Sequence, residues 1–259
     1  MINQYECSSD YWDMIAVKEY IGIAGISEKY TQAQCLTAFK LGLGQLPWYK
    51  TAITMLKTDL WTEGIVRSRE VLNHAVELAE QERFFVDSYG IDISKEICNR
   101  AVKHGTRAKI RQGDIRCLPY LNEYFDLILD VSTIDHIPFS EAKVALSEYY
   151  RCLRTNGVLV IMFAHDRCAI DTSKDCDKMK DCFPFSVNEV RSELSGFNIK
   201  GEYAIHFLNL PPAGRILQLG EMLHVPFLVT KLFKAFEFTP LSKFISGIAP
   251  LYVIIGVKK

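Results

Sequence analysis

The spacing of apolar positions changes near residue 52. Before it, residues 10–45 repeat apolar side chains at helical intervals, with Trp12, Ile15, Ala16 and Tyr20 followed by Cys35, Leu36 and Phe39. The pattern stops at Gly42 and Gly44, ahead of Pro47. After it, short apolar runs alternate with amphipathic stretches. Ala52–Thr58 reads as a strand, and Val66–Glu82 as a helix with Val71, Leu72, Ala75, Leu78 and Ala79 along one face. Phe84–Ile91 reads as a second strand. Ser94 caps a helix that runs through Ala101 to His104 and stops at Gly105.

The alternation continues with a short strand over Ala108–Arg111 and the continuous apolar run Phe125–Asp130, the type found in strands buried on both faces. Ser140 caps a helix to Leu153, and Asn156-Gly157 turns into the strand Val158–Phe163. Strand, helix, strand in succession implies right-handed crossovers and a parallel sheet. Residues 165–182 have the mixed charge of a surface loop. Ser186, with Glu189 at capping-box spacing, opens a helix to Leu194, and Asn198–Phe207 follows as a strand. Residues 211–248 are helical in pattern yet unusually apolar, cut into short pieces by proline, and Leu251–Val257 closes the chain as a strand.

Composition narrows the partners. A formal charge of -1 over 259 residues gives no broad attraction to nucleic acid. The first residues lack the basic and apolar regions of a signal peptide, and no apolar run approaches the roughly 18 residues of a spanning helix. A soluble cytoplasmic protein is the default expectation. Eight scattered cysteines read as reduced thiols, and Cys168, Cys176 and Cys182 fit no common zinc spacing, so no metal is expected.

The candidate chemistry lies in acids at strand ends. Tyr89-Gly90-Ile91-Asp92-Ile93-Ser94, Gly113-Asp114-Ile115 and Phe125-Asp126-Leu127-Ile128-Leu129-Asp130 each set an aspartate at or just beyond a strand's carboxyl end. Open α/β sheets bind ligands there, and a carboxylate can accept both hydroxyls of a ribose. The same acids could instead cap the turns that follow them. Residues 52–205, with these units and the turn Leu153-Arg154-Thr155-Asn156-Gly157-Val158-Leu159, resemble the core of the class I S-adenosylmethionine-dependent methyltransferases.

That resemblance implies an α/β, Rossmann-like methyltransferase fold: a mostly parallel seven-stranded sheet with N-terminal helices and a helical insertion before the last strand. Residues 1–50 would form the helical cap, 51–207 the cofactor-binding core, 208–250 the insertion or lid, and 251–259 the last strand. It implies S-adenosylmethionine as cofactor. Asp92 would take the ribose hydroxyls and Ile93 would pack on the adenine. Asp114 would accept from the adenine amino group beside Ile115. Asp130, Val131 and Ser132 would line the methionine end.

One motif departs from the family pattern. The first strand should lead into a glycine-rich loop, because only glycine lets backbone approach a cofactor so closely. Here Thr58-Asp59-Leu60-Trp61-Thr62-Glu63 precedes a single Gly64. A subgroup of methyltransferase-like sequences with a similar Lys-Thr-Asp-Leu-aromatic-x-Glu signature marks this as a substitution. Asp59 or Glu63 could face the cofactor's positive groups; alternatively Trp61 could fill the pocket.

Methyl transfer asks mainly for in-line positioning and a dry site. A general base is needed only when the acceptor must lose a proton, and His136 and His165, both past strand ends, are the candidates. If the insertion forms a lid, its Phe, Leu and Met content favours a small-molecule acceptor with a large apolar part, lipid-like or a natural product. Helix packing, a dimer contact or peripheral membrane contact are the other uses of such a segment. The competing function is a catalytically inactive methyltransferase-like scaffold. The sequence carries no signal for oligomeric state.

Overall fold

The computed structural model describes residues 8–18, 26–65, 70–166, 182–207, 226–244 and 249–259, with 215–216, 219–220 and 222–223 besides. Residues 66–69 of the expected helix over 66–82, residues 167–181, and much of 208–225 lie outside these residues, as do Cys168 and Cys176; the described part of the expected helix is helical only from Leu72, since residues 70 and 71 are not. Seven strands form one sheet: β1 (Ala52–Lys57), β2 (Phe85–Asp92), β3 (Lys109–Gln112), β4 (Phe125–Val131), β5 (Leu153–Ala164), β6 (Phe197–Ile205) and β7 (Leu251–Lys258). Their order is β3-β2-β1-β4-β5-β7-β6. Pairings from β3 to β5 are parallel, while β7 inserts antiparallel between β5 and β6. The fold is therefore the Rossmann-like methyltransferase type, and the last strand supplies its antiparallel hairpin.

The buried strands follow from their sequence. Phe125–Asp130 and the second half of β5 are buried on both sides and, apart from Asp126 and Asp130, apolar, so alternate residues feed two layers. Val158, Val160 and Met162 join one apolar cluster, and Leu159, Ile161 and Phe163 the other. On the first face lie α1 (Ser9–Lys18), α2 (Ile26–Leu43), α3 (Trp61–Ile65), α4 (Leu72–Gln81) and α5 (Lys95–Lys103). On the second lie α6 (Phe139–Cys152) and α7 (Val187–Glu193); α8 (Pro226–Glu237) belongs to the insertion.

Local capping matches the expectations at two helices. The Ser94 side chain accepts from the Ile97 amide, and Ser186 and Glu189 complete a capping box. At α6 the expectation shifts by two residues, because Pro138 rather than Ser140 takes the N-cap and the helix begins at Phe139. Gly105 stands at φ 84°, the left-handed geometry that ends a helix at little cost to glycine.

Candidate functional site

Strand order reverses its direction of growth at β1, between β2 and β4, and the crevice outside their carboxyl ends is where an open sheet receives a ligand. Three loops meet there: the one after β1, the one after β2 and the one after β4.

The β1 loop holds a buried ion pair where glycines were expected. Lys57 is the last residue of β1 and is fully buried. Its Nζ lies 3.0 Å from Glu63 Oε2 and 3.3 Å from Asp59 Oδ2, and it also donates to the Asp59 carbonyl. Burial works against its charge, but Glu63 and Asp59 outweigh it and raise the ammonium's pKa. Glu63 is equally buried. Its Oε1 accepts from the backbone amides of Val71 (2.9 Å) and Leu72 (2.8 Å), and Thr62 donates to Oε2 at 2.8 Å. Burial alone would raise its pKa; Lys57 and the amide donors bring it below the usual carboxylate range.

Glu63 thus terminates β1 electrostatically and caps the start of α4. Both its oxygens are engaged, so it does not face a cofactor. Gly64 serves packing: a Cβ there would sit 3.1 Å from Ile97, so its absence allows α3 to approach α5.

Asp92, at the end of β2, is buried to 8 % exposure and ties two of the loops together. Its Oδ2 accepts from the Leu60 amide at 2.9 Å and its Oδ1 from the Ser94 amide at 2.8 Å. Burial first, and the nearby Asp59 second, push its pKa up to about 7. Each oxygen carries two lone pairs, so each retains one acceptor position for an incoming hydroxyl. Ile93 is half-buried beside it.

Asp114 follows the capping alternative. It accepts from the Arg116 amide at 2.8 Å, and its carboxylate is gripped by the Arg116 guanidinium, with contacts of 2.9 and 2.5 Å. Both oxygens are filled by one neighbour. The buried Ile115 packs into the second apolar layer.

The β4 loop is stitched from within. Asp130 is fully buried, accepting from Tyr149 Oη at 2.6 Å and the Thr133 amide at 2.9 Å. Burial drives its pKa up to about 6. It has no accessible surface, so it supports the loop from beneath and does not line a cleft. Ser132 adopts φ 58° and donates to both oxygens of the buried Asp135, which also accepts from the Ala164 amide at 2.6 Å. Thr58 and Thr133 hydroxyls meet at 3.1 Å, bridging the β1 and β4 loops, and Val131 is half-buried.

The two candidate histidines have separate surroundings. His136 lies in the turn after β4, its ring edge-on to Trp12 at 5.0 Å between centroids. Trp12 in turn meets Trp61 edge-on at 5.9 Å, so one indole from α1 spans the β1 and β4 loops. His165 is buried beyond β5, bridged to Phe185 and stacked on Tyr252.

Sequence reading singled out neither Trp12 nor Asp13 as site residues. Asp13 Oδ1 accepts from Ser94 Oγ at 2.5 Å and from the Glu96 amide at 3.0 Å, which fastens α1 over the start of α5. An isolated acid in a helical stretch carries no signal of so distant a partner. Lys57 was recoverable, since a lysine ending an apolar strand six residues before a glutamate needs a counter-charge. Among the described residues no cluster of His, Cys, Asp or Glu could hold a metal ion.

Residues 64–161 match the family model described as a methyltransferase domain. Over that stretch the chain is similar to methyltransferase domains. Solved structures of the same fold include a complex between the Haloferax volcanii Trm112 methyltransferase activator and a putative methyltransferase (TM-score 0.58, 14% identity, 96% of each chain covered). An S-adenosylmethionine-dependent methyltransferase from Thermotoga maritima matches with TM-score 0.54 and 20% identity over 90% of this chain and 92% of that one. A geranyl diphosphate methyltransferase in complex with S-adenosylmethionine matches with TM-score 0.54 and 13% identity, covering 86% and 85%. At these identities the likeness concerns the fold. No curated protein matches the chain.

Proposed function

We propose that this protein transfers a methyl group from S-adenosylmethionine to a small-molecule acceptor with a sizeable apolar part. The observation that carries the reading is Asp92, a buried carboxylate at the end of β2 with one acceptor position left on each oxygen. Ribose hydroxyls fit that pair. The cofactor supplies an electrophilic methyl on a sulfonium; the chain's task is to bind, orient and exclude water.

In this reading Ile93 packs on the adenine, and Thr58, Trp61, Val131 and Ser132 border the rest of the crevice. Asp59 would face the cofactor's positive groups: its Oδ1 accepts from the Trp61 amide at 3.0 Å and its Oδ2 leans on Lys57. Trp12 shields the β1 and β4 loops from solvent. His136, beside Trp12, takes the proton from an acceptor that must lose one. The acceptor's apolar part is inferred from the insertion, whose described helix α8 presents Phe, Leu and Val side chains.

A second reading, a catalytically silent scaffold, is favoured by the occupied acceptors of Asp114 and by the absence of a glycine loop after β1. Calorimetric titration separates the two. Micromolar binding of S-adenosylmethionine or its demethylated product, lost in Asp92→Ala, supports the enzyme. No binding at millimolar ligand rejects it and leaves the scaffold.

A further inference from the structure

The insertion turns two different faces to two different surroundings. The inner half of α8 is fastened to the core. Glu237 accepts from the Phe207 amide at 2.8 Å and from Gln34 Nε2 at 2.5 Å, and Val229 and Phe233 pack against Tyr30. The following turn is fixed as well, because Ser242 Oγ accepts from the Ala204 amide at 3.2 Å.

The outer half is apolar and bare. Phe227, Leu228, Leu232, Ala235 and Phe236 fall on one side of the helix by their 100° spacing, and all are exposed. Phe227 is 76 % exposed and Leu232 62 %. The apolar surface continues through Leu241 and Phe244, the latter 78 % exposed, and Met222 and Leu223 are bare on the preceding turn. A helix apolar on all sides is normally covered on all sides. An exposed apolar surface of this extent marks an interaction site.

Charge identifies the partner. Residues 208–250 hold four basic residues, Arg215, Lys231, Lys234 and Lys243, against two acidic ones, Glu221 and Glu237. Glu237 is fully buried, whereas Arg215, Lys231 and Lys243 are exposed. Lys231 sits within the bare face, and Lys243 lies between Leu241 and Phe244. Pairing of this face with its own copy would set lysines against lysines. An anionic bilayer satisfies both parts, taking the apolar side chains below its headgroups and the lysines at its phosphates.

We propose that the outer face of α8, continued through Leu241 and Phe244, docks this protein onto an anionic lipid bilayer surface. No helix among the described residues is long and apolar enough to cross a membrane, so the contact is peripheral. The proposal draws on the α8 side chains from which the acceptor's apolar part was inferred, but it does not depend on cofactor binding at Asp92.

Vesicle co-sedimentation tests it, using phosphatidylcholine alone and phosphatidylcholine mixed with phosphatidylglycerol, at low and high salt. The protein should sediment with the mixed vesicles, less so at high salt. Lys231→Glu should lower partitioning about fivefold or more, and Lys243→Glu similarly. Leu232→Glu should abolish it, with the circular dichroism spectrum unchanged because the position is exposed. Failure to sediment with mixed vesicles overturns the proposal, as does equal binding to neutral vesicles that ignores both lysine variants. A dimer in light scattering that Leu232→Glu dissolves, without vesicle binding, assigns the face to self-association instead. Should Leu232→Glu fail to fold, the two lysine variants decide alone. Loss of S-adenosylmethionine binding would not bear on this result, nor would loss of vesicle binding bear on cofactor binding at Asp92.

Discussion

The crevice and the insertion handle unfavourable groups in opposite ways. Around the crevice, charged groups lie inside the protein, and each is answered: Lys57 by Glu63, Glu63 by two amides, Asp130 by Tyr149 and Thr133. In the insertion, apolar groups lie outside the protein, and nothing among the described residues answers them. The first arrangement is closed, so cutting one member leaves a buried charge or an unpaired donor. The second is open, so cutting one member removes almost no contact. Closed networks hold a fold together; open surfaces await something else.

The sharpest way to break this comparison is Lys57→Ala. It leaves the Glu63 carboxylate buried without its cation and should cost about 3–5 kcal/mol in urea unfolding. A loss under about 1 kcal/mol, the scale of an exposed pair, would mean that the loop is not held by this charge.

A second effect should appear in the pH dependence. The Asp92 pKa rises to about 7 in the folded state, against about 4 for an unfolded aspartate. Folding then favours the protonated form. This stabilisation is complete below pH ~4 and is lost as pH climbs through the folded value near 7. Asp92→Asn removes the titration, so its stability relative to the parent should improve between those limits. Parallel stability curves across that window would show that Asp92 is not strained by burial.

The smallest effect belongs to the insertion. Leu232→Ala should change unfolding free energy by less than about 0.5 kcal/mol, the range of ordinary surface substitutions. A loss of 2 kcal/mol or more, typical of about the lower end for core leucines, would show that the side chain is packed after all.

Much of the fold was legible because parallel α/β architecture repeats itself in sequence. Phe125–Val131 is apolar at every position but Asp126 and Asp130 since both faces are covered, and Ser94 and Ser186 announce their helices through local chemistry. The direction of β7 was not legible, because an apolar strand reads alike whichever way it runs. Asp92 was placed correctly at its strand end, although its ligands, the amides of Leu60 and Ser94, emerge only in three dimensions. Glu63 misled the reading for a related reason. An acid near a ligand crevice looks available until its partner Lys57 is found directly beneath it. Asp114 carried two readings, and the arginine two residues onward decided between them by geometry that spacing does not encode.

Asp13 closes the first turn of α5 from a different helix, reaching the Glu96 amide 83 positions away in sequence. That amide is therefore a natural indicator. Its hydrogen-exchange protection depends on whether the N-terminal helix is seated, so a single resonance would count the fraction of molecules in which α1 is docked against α5.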